Sequence, residues 1–251
     1  MATISPSPPD TGLALFRAAL PAGTGDAPTA DRLCALGIPA PLAKGAQLAP
    51  NAVEDQLVWV ANGAIKLVAP SADGTPGGQV LAFHFAGDLV SVLRQSAVSP
   101  SGDLRVVALA DSDLVIFPAD EFLDEAQGDP AVLRSVLSRS LQALHRSRTR
   151  MMQMGHKSAG ARIADFLVSM AERLAGCTEG MCAFALPMSR RDIGDSLGLT
   201  IETVSRQLTE LREAGLVATE GRSKVFLSDV AALARLAGRQ VGHSTRDTAK
   251  N

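Results

Sequence analysis

Three observations in the 251-residue sequence predict an α+β fold: a roll of short strands, then one long helix, then a helix-turn-helix with a wing. Short β-prone runs separated by glycine turns fill residues 41–118. A single unbroken helical pattern follows Asp129-Pro130. Two short helical patterns meet at Gly198, and two strand-like runs come after them.

Residues 1–27 are rich in Pro, Ala, Ser and Gly and read as a disordered tail. Residues 29–36 read as a short helix, capped by Thr29 or Asp31 and stopped near Gly37-Ile38-Pro39. The strand-like runs are 57–60, 64–68, 79–85, 88–92, 104–109 and 113–117. Asn62-Gly63, Asp73-Gly74, Gly77-Gly78, Gly87-Asp88 and Ser101-Gly102 separate them, at the spacing of a jelly roll or barrel.

From Glu121 to about Met154 the pattern is helical, and Asp129-Pro130 opens the long helix with a cap and a first-turn proline. Leu137, Leu141, Leu144 and Met151 follow a 3.5-residue repeat with Arg148 in the gap; Leu133, Val136 and Met152 widen the stripe. Such a stripe packs on its own domain or forms a seam between two copies. The dimer seam is preferred, because one recognition helix needs a second copy to read a palindrome. Residues 130–164 hold seven Lys/Arg and no Asp/Glu. That run reads first as a solvated basic face. Its second reading has Arg146, Arg148 and Arg150 repelling across a dimer or attracting an acidic ligand or domain. Gly155 and Gly160 bracket a hinge, and a helix over 161–174 buries Ile163, Phe166, Leu167 and Met170.

Ser189 is a good N-cap with Asp192 three residues on, in the manner of a capping box. Ile193 and Leu197 share a face, and Gly198 supplies a left-handed turn. A second helix over about 200–214 buries Val204, Leu208 and Leu211, leaving Ile201, Glu202, Ser205 and Arg206 facing out near its start. These side chains suit base edges in a major groove. Arg206 offers two donors to guanine O6 and N7, Glu202 accepts from cytosine N4, Ser205 bonds base or phosphate, and Ile201 packs on a thymine methyl. The bland alternative is a solvated face with a Glu202–Arg206 pair. Residues 216–217 and 225–227 read as two strands around Glu220-Gly221-Arg222-Ser223, which makes a wing. Arg222 and Lys224 there, with Ser189, Arg190 and Thr203, are candidates for phosphate, which positions without specifying sequence. Arg191 and Arg212 are weaker candidates.

The composition is 46% hydrophobic, so a sizeable core can form, and no apolar run reaches the ~18 residues of a membrane span. The first nine residues lack a secretory signal pattern, and three widely placed cysteines suit a reducing compartment, so the expected location is the cytoplasm. The net charge of −2 hides an asymmetry. Residues 1–129 carry 6 Lys/Arg against 15 Asp/Glu, and residues 130–251 carry 18 against 11. An acidic front and a basic back fit a sensor joined to a nucleic-acid reader. No nucleophile–base pair, metal-ligand spacing or phosphate loop points to an enzyme.

The run Arg190-x-Asp192-Ile193-Gly194-x-x-Leu197-Gly198-Leu199-Thr200-x-Glu202-Thr203-Val204-Ser205-Arg206 resembles the DNA-binding domain of the Crp/Fnr family of bacterial transcription regulators. Glu202-Thr-Val-Ser-Arg206 is similar to the Fnr/FixK side, where Glu, Ser and Arg read a TTGAT-type half-site. Ile201 stands where the catabolite-activator branch usually has an arginine. Phe83-His84-Phe85-Ala86-Gly87-Asp88-Leu89-Val90 resembles the family's roll motif. The resemblance covers residues 28–237 and is tightest over 186–216.

Together with the composition of the two ends, it implies this organisation: a disordered tail (1–27), a cyclic-nucleotide-binding-type β-roll sensor (28–128), a dimerisation helix (129–156), a winged-helix DNA-binding domain (157–237) and a flexible tail (238–251). It implies double-stranded DNA and a second copy of the chain as partners, RNA polymerase if the protein is an activator, and no membrane. Cyclic AMP is not expected. Ser91-Val92 fill the place of the family's ribose-binding Gly-Glu, Asp103 sits where phosphate would lie, and Arg94-Gln95-Ser96-Ala97 is out of register. An iron–sulfur cluster is not expected either, because Cys34, Cys177 and Cys182 cannot supply four thiolates. His84, His145 and His156 read first as packing or surface residues and second as haem ligands. Cys177 and Cys182 read first as idle thiols and second as a redox-switchable pair. Two rival functions stay open: a signal-independent regulator with a degenerate sensor, and a ligand-binding roll whose winged helix contacts protein.

Overall fold

The computed structural model describes residues 9–23, 28–48, 54–70, 78–92 and 104–239. The expectations for Asp73-Gly74, Gly77, Arg94-Gln95-Ser96-Ala97, Ser101-Gly102, Asp103 and the tail from residue 240 lie outside them. The chain divides into two compact units, Met1–Thr149 and Arg150–Asn251. No described helix is long and apolar enough to cross a membrane.

The first unit runs α1 (Pro9–Ala18), α2 (Pro28–Leu36), β1 (Ile38–Leu42), β2 (Gln56–Asn62), β3 (Ala64–Ala69), β4 (Gln79–Phe85), β5 (Leu89–Val92), β6 (Arg105–Ala108), β7 (Ser112–Pro118), α3 (Ala119–Gln127) and most of α4 (Pro130–His156), whose last turns belong to the second unit. The strands form two antiparallel sheets, β1-β7-β2-β5 and β4-β3-β6. The apolar run of β2 shows why two layers cover it. Successive side chains on a strand point to opposite faces, and here both faces are buried. Leu57, Trp59 and Ala61 join Val115 and Phe117 of β7 against α1, α2 and α3. Val58 and Val60 join Leu114, Ile65, Val90 and Val106 between the two sheets. Asn62-Gly63 is accordingly a corner between sheets rather than a hairpin within one.

Two features depart from the sequence expectations. The segment read as a disordered tail contains α1, whose Phe16 is only 4% exposed. Its ring lies 4.7 Å from Phe117, 5.7 Å from Trp59 and 6.1 Å from Phe122, and Arg17 bonds Asp31 on α2. A Pro- and Gly-rich composition hides this helix because its stability comes from one aromatic anchor rather than from propensity. Residues 38–42, expected to follow a helix stop, form β1 in spite of Pro39 and Pro41. Both prolines pair along β7, opposite Val115 and Asp113, on an edge strand whose outer side needs no N–H donors.

Asp129 caps α4 by accepting from the Ala131 and Val132 amides at 2.9 and 3.4 Å. Arg139 on this helix donates to the Gly87 carbonyl at 2.6 Å and lies 5.2 Å over the Trp59 ring. Among the described residues nothing covers the stripe on the other side of α4: Leu137, Leu141, Leu144 and Met151 are 57%, 56%, 45% and 71% exposed.

The second unit continues with α5 (Ala159–Ala175), β8 (Cys182–Ala185), α6 (Arg190–Leu197), α7 (Ile201–Glu213), β9 (Val217–Glu220), β10 (Lys224–Leu227) and α8 (Val230–Leu236). Its sheet has the order β8-β10-β9, so the wing hairpin gains a third strand from the segment before the helix-turn-helix. Ile163, Phe166, Leu167 and Met170 of α5 are buried, as their spacing predicts. Asp165 on the same helix is also buried, with its side chain 6% exposed. Lys157 Nζ at 3.1 Å and Arg239 Nε at 2.8 Å hold it, and Arg239 also bonds Glu172 and Ser169 at 2.7 Å. Arg239 was expected in the flexible tail; instead it closes the domain by gripping α5 across more than seventy residues of sequence. Burial pushes the Asp165 carboxyl up, but Arg239 and Lys157 outweigh it and hold it below its ordinary value.

Phe16→Ala should cost about 3 kcal/mol through the cavity it leaves. Urea unfolding followed by fluorescence of the single tryptophan, Trp59, reads that loss directly; an unchanged midpoint would mean that α1 is not part of the core. Arg239→Ala should cost about 2 kcal/mol at neutral pH, since it removes charged hydrogen bonds from a buried carboxylate. The contribution is fully present above the unfolded carboxyl value of about 3.9 and is lost as pH falls through the lower folded value. Thermal melts of parent and variant should therefore converge in acid.

Candidate nucleic-acid interface

The interface is assembled by local signals. The Ser189 hydroxyl accepts from the Asp192 amide at 3.1 Å, and the Asp192 carboxylate accepts from the Ser189 amide at 2.8 Å, a complete capping box at the start of α6. Gly198 ends α6 at φ 64°, the left-handed conformation that a side chain resists. The Leu199 amide then turns back onto the Gly194 carbonyl at 2.9 Å. A Cβ at Gly194 would lie 2.5 Å from the Leu199 carbonyl oxygen, so only glycine lets the turn close this tightly. Thr200 caps α7 by accepting from the Thr203 amide at 3.2 Å. Val204 and Leu211 are buried and Leu208 is half-buried, which fixes how α7 is rotated.

That rotation leaves Ile201, Glu202 and Arg206 exposed and Ser205 half-buried on one face. The Arg206 side chain is 67% exposed. Its Nε lies 3.8 Å from Glu210 Oε1, so its ion-pair partner is one turn after it rather than Glu202 one turn before. Glu202 instead faces its own helix start. Its backbone amide, then the Thr200 hydroxyl, and further off the Arg191 guanidinium hold its carboxyl below the ordinary value. A carboxylate kept ionised at the first turn of the helix is an acceptor free to meet an exocyclic amine. Arg190 Nη1 donates to Ser205 Oγ at 3.2 Å, joining α6 to the reading face.

The phosphate candidates separate into two groups. Arg190, Arg222 and Lys224 are exposed cations at the start of α6 and on the wing, with Lys224 Nζ 3.2 Å from Glu220 Oε1. The hydroxyls are already engaged: Ser189 Oγ donates to Asp192 Oδ2 at 2.6 Å, and Thr203 Oγ1 lies 3.1 Å from Thr200 Oγ1. Ser189 has both its protons committed to the capping box, which removes it from the set of phosphate donors. One participant escaped the sequence reading, and another has a different role from the one expected. Glu210 bonds Gln207 at 2.8 Å as well as pairing with Arg206, and its only signal was the four-residue spacing from Arg206. Arg191, placed low among the phosphate candidates, acts on Glu202.

Comparison with known proteins agrees with this geometry. The Crp-like helix-turn-helix domain family matches residues 161–236. The nitrogen fixation regulation protein FixK of Azorhizobium caulinodans is 31% identical over 207 residues, 81% of this chain and 81% of its own. The fumarate and nitrate reduction regulatory protein of Escherichia coli is 30% identical over 200 residues, 79% of this chain and 78% of its own. The structure of FixK2 from Bradyrhizobium japonicum matches with a TM-score of 0.66 and 31% identity, covering 82% of this chain and 98% of that one. With its cyclic-nucleotide-binding-type roll and its winged reader, the chain belongs to the Crp/Fnr family of DNA-binding transcription regulators, on the FixK branch.

Proposed function

We propose that this regulator, which is not an enzyme, acts as a homodimer on an inverted repeat of TTGAT-like half-sites, each read by one α7. The exposed face of α7 carries the proposal: Glu202, Ser205 and Arg206 stand together, with Ile201 at its rim. Arg206 binds guanine through two parallel donors, Glu202 accepts from cytosine, and Ile201 meets a thymine methyl where an arginine would select a further guanine. Arg190 and Thr203 near the helix starts, and Arg222 and Lys224 on the wing, set the register on phosphate.

The dimer rests on the exposed stripe of α4. Leu137, Leu141, Leu144 and Met151 keep a heptad spacing, and an apolar row of this kind left in water is the face that a second parallel helix covers. Two copies so joined would set their α7 helices on successive turns of the groove.

The input to the roll is neither a cyclic nucleotide nor an iron–sulfur cluster in this proposal. Ser91 and Val92 at the end of β5 offer no carboxylate for a ribose. Three cysteines in the whole chain fall one short of a four-thiolate cluster. The second reading is a roll that serves as a fixed scaffold while the amount of protein sets activity.

Arg206→Ala should lose ~1–3 kcal/mol per half-site on a TTGAT palindrome and little on scrambled DNA. Lys224→Ala should weaken both alike and lower the salt slope by about 1 per subunit. Fluorescence anisotropy across a salt series separates the two; an Arg206 variant that keeps its preference for the palindrome would overturn the assignment. Leu141→Glu should convert a dimer into a monomer in light scattering and weaken palindrome binding at least about tenfold. A variant that stays dimeric would remove α4 from the seam.

A further inference from the structure

Just upstream of the helix-turn-helix, the second unit holds two cysteines that DNA reading does not use. Cys177 follows Gly176, the C-cap of α5; its amide donates to the Ala171 carbonyl at 3.1 Å and its thiol to the Ala175 carbonyl at 3.6 Å. Cys182 opens β8, opposite Leu227 on β10, and is 5% exposed. The turn between them returns the chain on itself and brings the Cys177 side chain beside Cys182. Backbone bonds anchor this turn at both ends: the cap of α5 on one side, the β8–β10 ladder on the other. Within it, the Gly180 carbonyl accepts from Val230 at 2.9 Å. Cys177 is half-buried at the surface, and Cys182 lines an open groove of about 580 Å³ with Met181, Phe226 and Ser228.

We propose that Cys177 and Cys182 are a redox site that closes to a reversible intrachain disulfide when the protein meets a hydroperoxide. The order of events follows from exposure. Burial, and then the adjacent Cys177 thiol, push the Cys182 thiol up to about 11, so Cys182 stays protonated at neutral pH. The more exposed Cys177 therefore reacts first. Its sulfur attacks the peroxide oxygen, the O–O bond breaks, and one alcohol or water leaves with the thiol proton, giving a sulfenic acid. The Cys182 sulfur then attacks the Cys177 sulfur; the S–O bond breaks, and hydroxide leaves with the Cys182 proton as water. Two thiols lose two electrons in total and the peroxide gains them. The two side chains are neighbours across one short turn, and closure brings their sulfurs to the disulfide length of about 2.05 Å. The new bond would tie the end of α5 to the strand that leads directly into the capped start of α6.

Trypsin provides a direct test on the full-length protein. Both cysteines fall in one peptide, residues 174–190, which has no internal Lys or Arg, while Cys34 falls in another, residues 33–44. After brief hydrogen peroxide treatment and alkylation under non-reducing conditions, peptide 174–190 should be about 2 Da lighter than its dithiol form and take up no alkylating agent. Dithiothreitol should restore two alkylatable thiols. Oxidation of Met181 or Met188 in the same peptide adds oxygen and is resolved by mass. Cys177→Ser, a change at a half-exposed turn that spares the buried position, should leave Cys182 alkylatable after the same treatment. The proposal is overturned if the peptide keeps two free thiols, if Cys177 proceeds to sulfinic acid with Cys182 still free, or if oxidation yields cross-linked dimers on a non-reducing gel.

Discussion

The approach of two backbones at the Gly194–Leu199 turn governs what the second unit can do. A reading helix is useful only if its outward face is fixed relative to the domain that carries it. Here that face is set by a turn with no slack: Gly198 at φ 64°, the Leu199 amide bonded to Gly194, and a Gly194 with no room for a methyl group. The capping box at Ser189 starts α6, and Thr200 starts α7 with no residue wasted between. Each local bond contributes only about 1 kcal/mol. Together with burial of Val204 and Leu211 they leave α7 a single rotation. Exposure of Arg206 and Glu202 follows from that rotation rather than from any contact the two side chains make.

Charge is then distributed in a way that keeps the reading face available. Arg206 rests against Glu210, an exposed pair of modest strength that a guanine edge can replace. Glu202 is stabilised by the helix start and not by Arg206, so engagement of one does not strip the other of its partner. The strong ion pairs lie elsewhere. Asp165, gripped by Lys157 and Arg239, anchors the scaffold in a buried place where losing a partner is costly. Weak pairs on the face that must exchange partners and strong pairs in the frame that must not move suit a DNA reader.

In the first unit, the comparable constraint is a sheet buried on both faces. β2 and β7 send alternate side chains to the helices and to the second sheet, and Trp59 takes part in both packing and recognition of α4 through Arg139. This arrangement leaves little empty volume around Phe16 and Val136. The helix α4 is fastened to this sheet by Arg139 on one side, and the apolar stripe on its other side stays exposed.

Features encoded within a few residues were legible in the sequence. The cap at Ser189, the turn at Gly198, the outward face of α7 and the core face of α5 all follow from spacing and residue type, because their hydrogen bonds and neighbours lie within one or two helical turns. What depended on distant partners was not legible. Phe16 gains its order from Trp59, Phe117 and Phe122, and β1 tolerates two prolines only because it is an edge strand on β7. Arg239 belongs to the domain only through α5, and β8 becomes a wing strand only by meeting β10. Even within α7, spacing allowed Arg206 either of two carboxylates, and the tertiary packing that sets side-chain direction gave it Glu210. Local patterns define which elements form and which faces they bury; the burial of an isolated aromatic, an edge or a terminal arginine is decided only when remote parts of the chain meet.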